Sequence, residues 1–257
     1  MMLKFTFFLR VKTHFLALVR LFKNSGLLIN VKSLDHTLCI PSTGVGLSAQ
    51  RCRQLANTVK GLEAHWQSRD ALGVMYTLGR AAYLDGWSPQ KQYDANNAFM
   101  KTHFADFYAE LLVILEQRFK RPVVYKNDAF LPGFHIFPAS FWAKFAVASF
   151  HVDLQYRRTV WKKYAGCDFN HPVTFTLSIE LPKKGAGIYF FDATEEVPRE
   201  RAAQAKKMKH DYVLGKMVYH SGHHWHVIAP CRIASGEYRI TLQGHAIHAK
   251  EATLVYW

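Results

Sequence analysis

Apolar positions along the chain change their period once, near residue 120. Before it they fall at helical spacing. From Ser48 to about Trp66, Leu55, Val59 and Leu62 share one stripe, and Ser48 stands where a helix cap belongs. From about Asn97 to Phe119, Phe99, Phe104, Phe107, Leu111, Ile114, Leu115 and Phe119 mark the apolar face of a longer helix. Between these, "GVMYTLGRAAYLDGW" reads as a strand and turn at the entrance to the main fold. After "KRP" at 120–122 come short β-branched and aromatic runs: "VVYK", "FHIF", "FAVASFHVDLQY", "VTFTLSIEL", "GIYFFD", "KMVYH", "WHVIAP" and "YRITLQGHAI". Gly, Pro and Asn turns separate them, the pattern of a sandwich or barrel. A charged insert at 193–212 predicts a surface loop with a short helix. Helices first and strands afterwards predict an α+β chain, mainly β, with one β core braced by N-terminal helices.

The 257 residues suffice for one large domain with an appendage. Residues 1–45 read as a basic, apolar extension, followed by one domain over 46–257, with helices in about 48–120 and the β core in about 120–257. The first 34 residues carry six Lys or Arg and no acid. Cations recur too often there for a transmembrane helix, and no clean secretory cleavage pattern is evident. A peripheral membrane helix, an organelle-targeting peptide and an extension without fixed structure all fit. The expected location is intracellular, with the cytoplasm favoured.

A formal net charge of +14 changes the picture of partners more than of fold. It favours anionic ones: nucleic acid, phosphorylated or otherwise acidic substrates, or an acidic membrane surface. The four cysteines, Cys39, Cys52, Cys167 and Cys231, form neither a CxxC pair nor a disulfide framework, and read as free thiols.

The chemistry sits in the β half. In "FHVDLQY", His151 and Asp153 would share one side of a strand. A buried carboxylate among apolar residues is costly unless paired or bound to a metal. Downstream, His220, His223, His224 and His226 fall within seven residues, and Arg239 follows in an apolar strand. Two histidines and a carboxylate on one side of an ion leave adjacent positions open, as in the facial triad of non-haem Fe(II) oxygenases. A buried arginine beside such a site can clamp a co-substrate carboxylate through two parallel hydrogen bonds.

The order of these residues resembles the Fe(II)/2-oxoglutarate-dependent dioxygenases. His151 and Asp153 match their H-x-D. His226 in "HVIAP" matches the distal histidine followed by proline, 73 residues after Asp153. Arg239 and Thr241 in "RITL" match the arginine with a hydroxyl two positions on. The tract "TFTLSIELPKKGAGIYFFD" is similar to the strand pair between the motif halves, with Ile188 where the family more often has leucine. The resemblance covers about residues 120–250. It implies a double-stranded β-helix (jelly-roll) core. It also implies iron held by His151, Asp153 and His226, and 2-oxoglutarate bound through Arg239 and Thr241 and converted to succinate and CO2 while a substrate is hydroxylated or oxidatively demethylated.

His224 is the alternative distal ligand, since a regular strand would point it the same way as His226. Gln155, His135 and His224 are candidates for the substrate wall. His220 and His223 read as solvent-facing or pocket-wall residues, and His245 and His248 as structural or exposed. Trp161 and Trp225 read as packing, and Lys183 and Lys184 as a solvated turn. Two other readings stand beside the oxygenase: a non-catalytic jelly-roll binding module, and a basic nucleic-acid-binding protein with a structural metal. No nucleic-acid motif and no Cys/His zinc spacing is present. The substrate, a small molecule or a group carried on a polymer, has no signature in the sequence.

Overall fold

The structure is a computed structural model that describes residues 41–70, 74–86, 90–140 and 150–257. Of the basic N-terminal extension expected over 1–45, residues 1–40, with Cys39, lie outside the described residues, whereas Ser42–Gly44 form a strand paired with Met217–Tyr219 in the main sheet.

Helix α1 spans Ala49–Gly61. Ser48 caps it, its Oγ accepting from the Arg51 N–H at 3.2 Å, and it buries Cys52, Leu55, Ala56 and Val59. Helix α2 is the single turn Ala82–Asp85. Helix α3, Gln90–Phe119, starts earlier than the sequence pattern places it. Its first turns are polar, and Tyr93 is the one residue among 90–96 that they bury, so hydrophobic periodicity does not register them. The helix bends at Phe104 and ends at Lys120, which takes a positive φ of 56°.

The larger sheet holds nine strands among the described residues. In chain order they are β1 (Ser42–Gly44), β2 (Gln67–Ser68), β3 (Tyr76–Leu78), β4 (Val123–Tyr125), β5 (Gly133–Pro138), β6 (Asp168–Glu180), β9 (Met217–Ser221), β11 (Tyr238–His248) and β12 (Thr253–Tyr256). The smaller sheet holds β7 (Gly187–Thr194), β8 (Lys207–Asp211) and β10 (His224–Ile228). The core order β9-β6-β11-β5 stands against β8-β7-β10, and His151 extends the second sheet by bridging to His226. From β5 onward the chain crosses repeatedly between the sheets. That winding is the double-stranded β-helix, a jelly-roll relative.

Two details differ from the sequence expectations. The insert at 193–212 does contain a one-turn helix, α4 (Arg199–Ala202), but also strand β8, which pairs with β7. Its sequence, KMKHD, is mostly exposed and charged, as suits an edge strand that must resist further pairing. "HVDLQY" is not a regular strand either. His151 makes one bridge, and Gln155–Arg158 then form a 3-10 turn.

Alternation along the central strands decides what each face holds. Phe134 and Ile136 of β5, Phe175 and Leu177 of β6, and Ile240 and Leu242 of β11 join Leu55 and Val59 of α1 and Phe107 and Leu111 of α3 in the main core. Between them on the same strands, His135, Thr176, Arg239 and Thr241 line a cavity that the smaller sheet also lines. The helices thus cover an apolar face and leave a polar face directed inward. Gly133 is required by close approach: a Cβ there would lie 1.9 Å from the ring of the fully buried Trp257. No helix among the described residues is long and apolar enough to cross a membrane.

Candidate metal centre

The cavity has a volume of about 630 Å³. His151 and His226 line it and meet Asp153 beside it, with one ligand atom from each of the three lying within 4.8 Å of the others. Backbone pairing brings the two histidines together: His151 N–H donates to the His226 carbonyl at 3.0 Å, and His226 N–H returns to the His151 carbonyl at 2.9 Å. Their ring centroids stand 4.4 Å apart. The Asp153 N–H donates to the Gly222 carbonyl at 2.8 Å, which fixes the carboxylate from the side of β9.

Asp153 is buried, with Oδ1 3.4 Å from His151 Nε2 and Oδ2 3.3 Å from His226 Nε2. Oδ1 also accepts from the Gln155 amide at 2.9 Å, whereas Oδ2 has no hydrogen-bond partner. Burial works to raise the Asp153 pKa, but the His226 and His151 imidazoles outweigh it and hold the carboxyl well below its ordinary value. His226 Nδ1 lies 2.9 Å from the His224 carbonyl and can only donate to it, so Nε2 is the ring atom turned toward Asp153. Such an outer hydrogen bond is the usual support of a metal-binding imidazole. Two nitrogen donors, one carboxylate and an unsatisfied buried oxygen fit a divalent transition metal, Fe(II) among them.

His224 stands apart from this group. The register of β10 against β7 shifts between His224 and His226, and this irregularity breaks the alternation that would have aligned them. His224 is absent from the cavity wall, and its carbonyl instead orients His226. Gln155 and His135 do line the cavity. Gln155 is tied to the metal carboxylate, and His135 Nε2 lies 2.8 Å from the Tyr83 hydroxyl. Burial, then the nearby Arg239 charge, depress the His135 pKa to about 3.

Arg239 and Thr241 project from β11 into the same cavity, both buried. The guanidinium lies 5.1 Å from the ring centroids of Phe137 and Tyr212, and its Nε and Nη1 have no hydrogen-bond partner. A buried cation with unpaired donors is costly alone, and its planar fork is suited to a carboxylate.

His220 lies on the cavity wall, one of the two places expected for it. His220 is buried, its Nδ1 3.0 Å from the Ser221 carbonyl and its Nε2 3.9 Å from Asp153 Oδ2. His245, expected to be structural or exposed, takes the structural place: it is buried beside Thr174, with Nδ1 3.1 Å from the threonine hydroxyl. Tyr83 and Tyr212 also line the cavity. The alternation of β9 and β11 carried a signal for the two histidines, but Tyr83 comes from a helical turn far earlier in the chain. Trp161 and Trp225 pack as expected, Trp161 edge-on to Phe169 and Trp225 stacked on Phe150.

No protein-family description and no curated protein matches the sequence. Among solved structures, the chain is similar to the non-heme alpha ketoglutarate dependent epimerase SnoN from nogalamycin biosynthesis. Identity is 13%, with 81% of this chain and 80% of that one covered, at a TM-score of 0.44. It is also similar to the carbocyclase SnoK of the same biosynthesis, at 8% identity, coverage of 82% and 79%, and a TM-score of 0.47. A Pseudomonas putida prolyl-4-hydroxylase aligns at 15% identity, coverage of 83% and 94%, and a TM-score of 0.39. Strand order and side-chain geometry, rather than these distant likenesses, define the molecule: a double-stranded β-helix that brings together a His-x-Asp…His group able to hold a metal ion.

Proposed function

We propose that this protein is an Fe(II)- and 2-oxoglutarate-dependent oxygenase that hydroxylates or oxidatively demethylates an organic substrate. The observation that carries the reading is one cavity holding both the His151, Asp153, His226 group and a buried Arg239 with unpaired donors. His151, Asp153 and His226 would hold the metal, leaving adjacent positions for co-substrate and O2. When bound, Fe(II) supplies O2 activation coupled to conversion of 2-oxoglutarate into succinate and CO2. Arg239 receives the distal carboxylate of 2-oxoglutarate, with Thr241 on the same face of β11 beside it. Gln155 orients Asp153, and the His224 carbonyl orients His226.

The test is anaerobic addition of Fe(II) and 2-oxoglutarate to the purified chain, followed by O2. A visible iron-to-oxoglutarate charge-transfer band and O2-dependent succinate release are expected, both absent from Asp153→Ala. Metal binding without 2-oxoglutarate binding or succinate release would reduce the protein to a metal-binding jelly roll.

A further inference from the structure

Charges around the cavity do not balance, and the excess points to a substrate class. Four arginines line it, Arg69, Arg157, Arg158 and Arg239, with one acid, Asp70, and Asp153 is buried next to the lining residues His151 and His226. Most of these are already engaged. Arg69 grips both carboxylate oxygens of Asp85, at 2.8 and 2.9 Å. Arg157 pairs with Glu195 at 3.2 Å. Arg239 is assigned to the co-substrate. Asp70 accepts from the Val74 and Met75 N–H groups at 3.1 and 2.6 Å, and Asp153 belongs to the metal group. Arg158 is exposed and forms no ion pair or hydrogen bond among the described residues.

Its position follows from the turn that carries it. Gln155–Arg158 is a 3-10 turn. Side chains three residues apart eclipse in such a turn, with a rise of about 2.0 Å per residue, so Arg158 stands roughly 6 Å along from Gln155 on the same face. Gln155 touches the metal carboxylate, which places Arg158 one turn further out on the same cavity wall. The apolar part of the wall is Met75, Leu84, Val152, Leu154, Ile188 and Ile228, beside the polar groups that surround the His151 and His226 end. Six apolar side chains with one uncommitted cation beside them suit a ligand of matching division.

We propose that the substrate is an amphipathic anion, an apolar body bearing a carboxylate or phosphate that Arg158 holds while the apolar part lies against Met75, Leu84, Val152, Leu154, Ile188 and Ile228. The proposal rests on the oxygenase reading for its assignment of Arg239 to the co-substrate. It is tested on the full chain with Fe(II) and 2-oxoglutarate under argon, titrated calorimetrically with octanoate, its neutral isostere octanamide, and acetate. Octanoate is expected to bind about ten-fold more tightly than either of the others. Arg158→Gln should remove that advantage and leave octanamide affinity unchanged. Equal affinities for octanoate and octanamide, no octanoate binding, or full octanoate affinity in Arg158→Gln overturns the proposal. So does a loss that follows Arg239→Leu instead, because octanoate would then occupy the co-substrate position. A chain that fails to bind 2-oxoglutarate yet holds octanoate through Arg158 would remove the oxygenase reading and keep this one.

Discussion

His151 and His226 sit directly opposite each other and exchange both of their backbone hydrogen bonds, at 3.0 and 2.9 Å. The two histidines proposed as metal ligands are therefore a cross-strand pair, and main-chain geometry sets their separation. Residues far apart in the chain act as one preformed half-site, and Asp153 completes it.

His226 and His224 should separate cleanly in a metal titration. His226→Ala and Asp153→Ala are each expected to lower Fe(II) affinity by at least about 100-fold, since each removes a ligand. His224→Ala keeps the carbonyl that orients His226 and should change affinity by less than about ten-fold. A dead His224→Ala beside an active His226→Ala would move the distal ligand by two residues.

Gly222 is a backbone control on the same site. A Cβ at this position would lie 2.2 Å from the Asp153 carbonyl oxygen, and main chain cannot step aside cheaply. Gly222→Ala should shift the H-x-D segment and weaken Fe(II) binding by about 10–100-fold, the range seen when supporting shells are disturbed. Circular dichroism should remain that of the folded chain. Wild-type metal affinity in this variant would show that the segment relaxes without moving Asp153.

Arg239→Leu should leave Fe(II) affinity nearly unchanged while raising the KM for 2-oxoglutarate by about ten-fold or more, as expected for loss of a bidentate charged contact. Removal of a buried unpaired cation also means that the variant should not unfold more easily in the absence of 2-oxoglutarate. An unchanged KM would transfer the clamp to another residue.

His135 links folding to acid. Its folded pKa, about 3, lies below the ordinary value of 6.5, so the unfolded chain takes up the proton more readily. The stability contribution is complete above about pH 6.5 and is lost as pH falls toward 3, at ~1.4 kcal/mol per pH unit. Denaturant titrations of the metal-free protein between pH 7 and pH 4.5 should therefore be flatter for His135→Gln by about one proton's slope. Parallel curves would mean that the imidazole is protonated in the fold.

For the basic segment, deletion of residues 1–35 should leave succinate formation largely intact and weaken binding to anionic vesicles, most visibly at low salt, by about 1 kcal/mol per cation. Undiminished vesicle sedimentation would put the basic surface on the β-helix domain. Lost turnover with retained fold would make the segment part of the active-site wall.

The sequence by itself determined the elements whose signal is local. Ser48 and the Leu55/Val59 stripe specify α1, β-branched runs specify the central strands, and H-x-D, HVIAP and RIT place three clusters of chemistry in order. These follow from propensity and side-chain period, which act over a few residues. Tertiary structure decided what depends on distant pairing. The bulge between His224 and His226 depends on how β10 meets β7, and no local pattern announces it. Strand β8 is charged because it lies at a sheet edge, so its composition imitates a loop. Tyr83 becomes part of the cavity wall because a helical turn brings it there, whereas in sequence it is one polar residue among many, and sheet winding decides that His220 faces the cavity and not solvent. Arg239 was legible as a buried cation, but only the packed cavity shows that its Nε and Nη1 remain without a partner. Burial and hydrogen-bond satisfaction are properties of the closed fold, and they turn a row of candidate residues into a site.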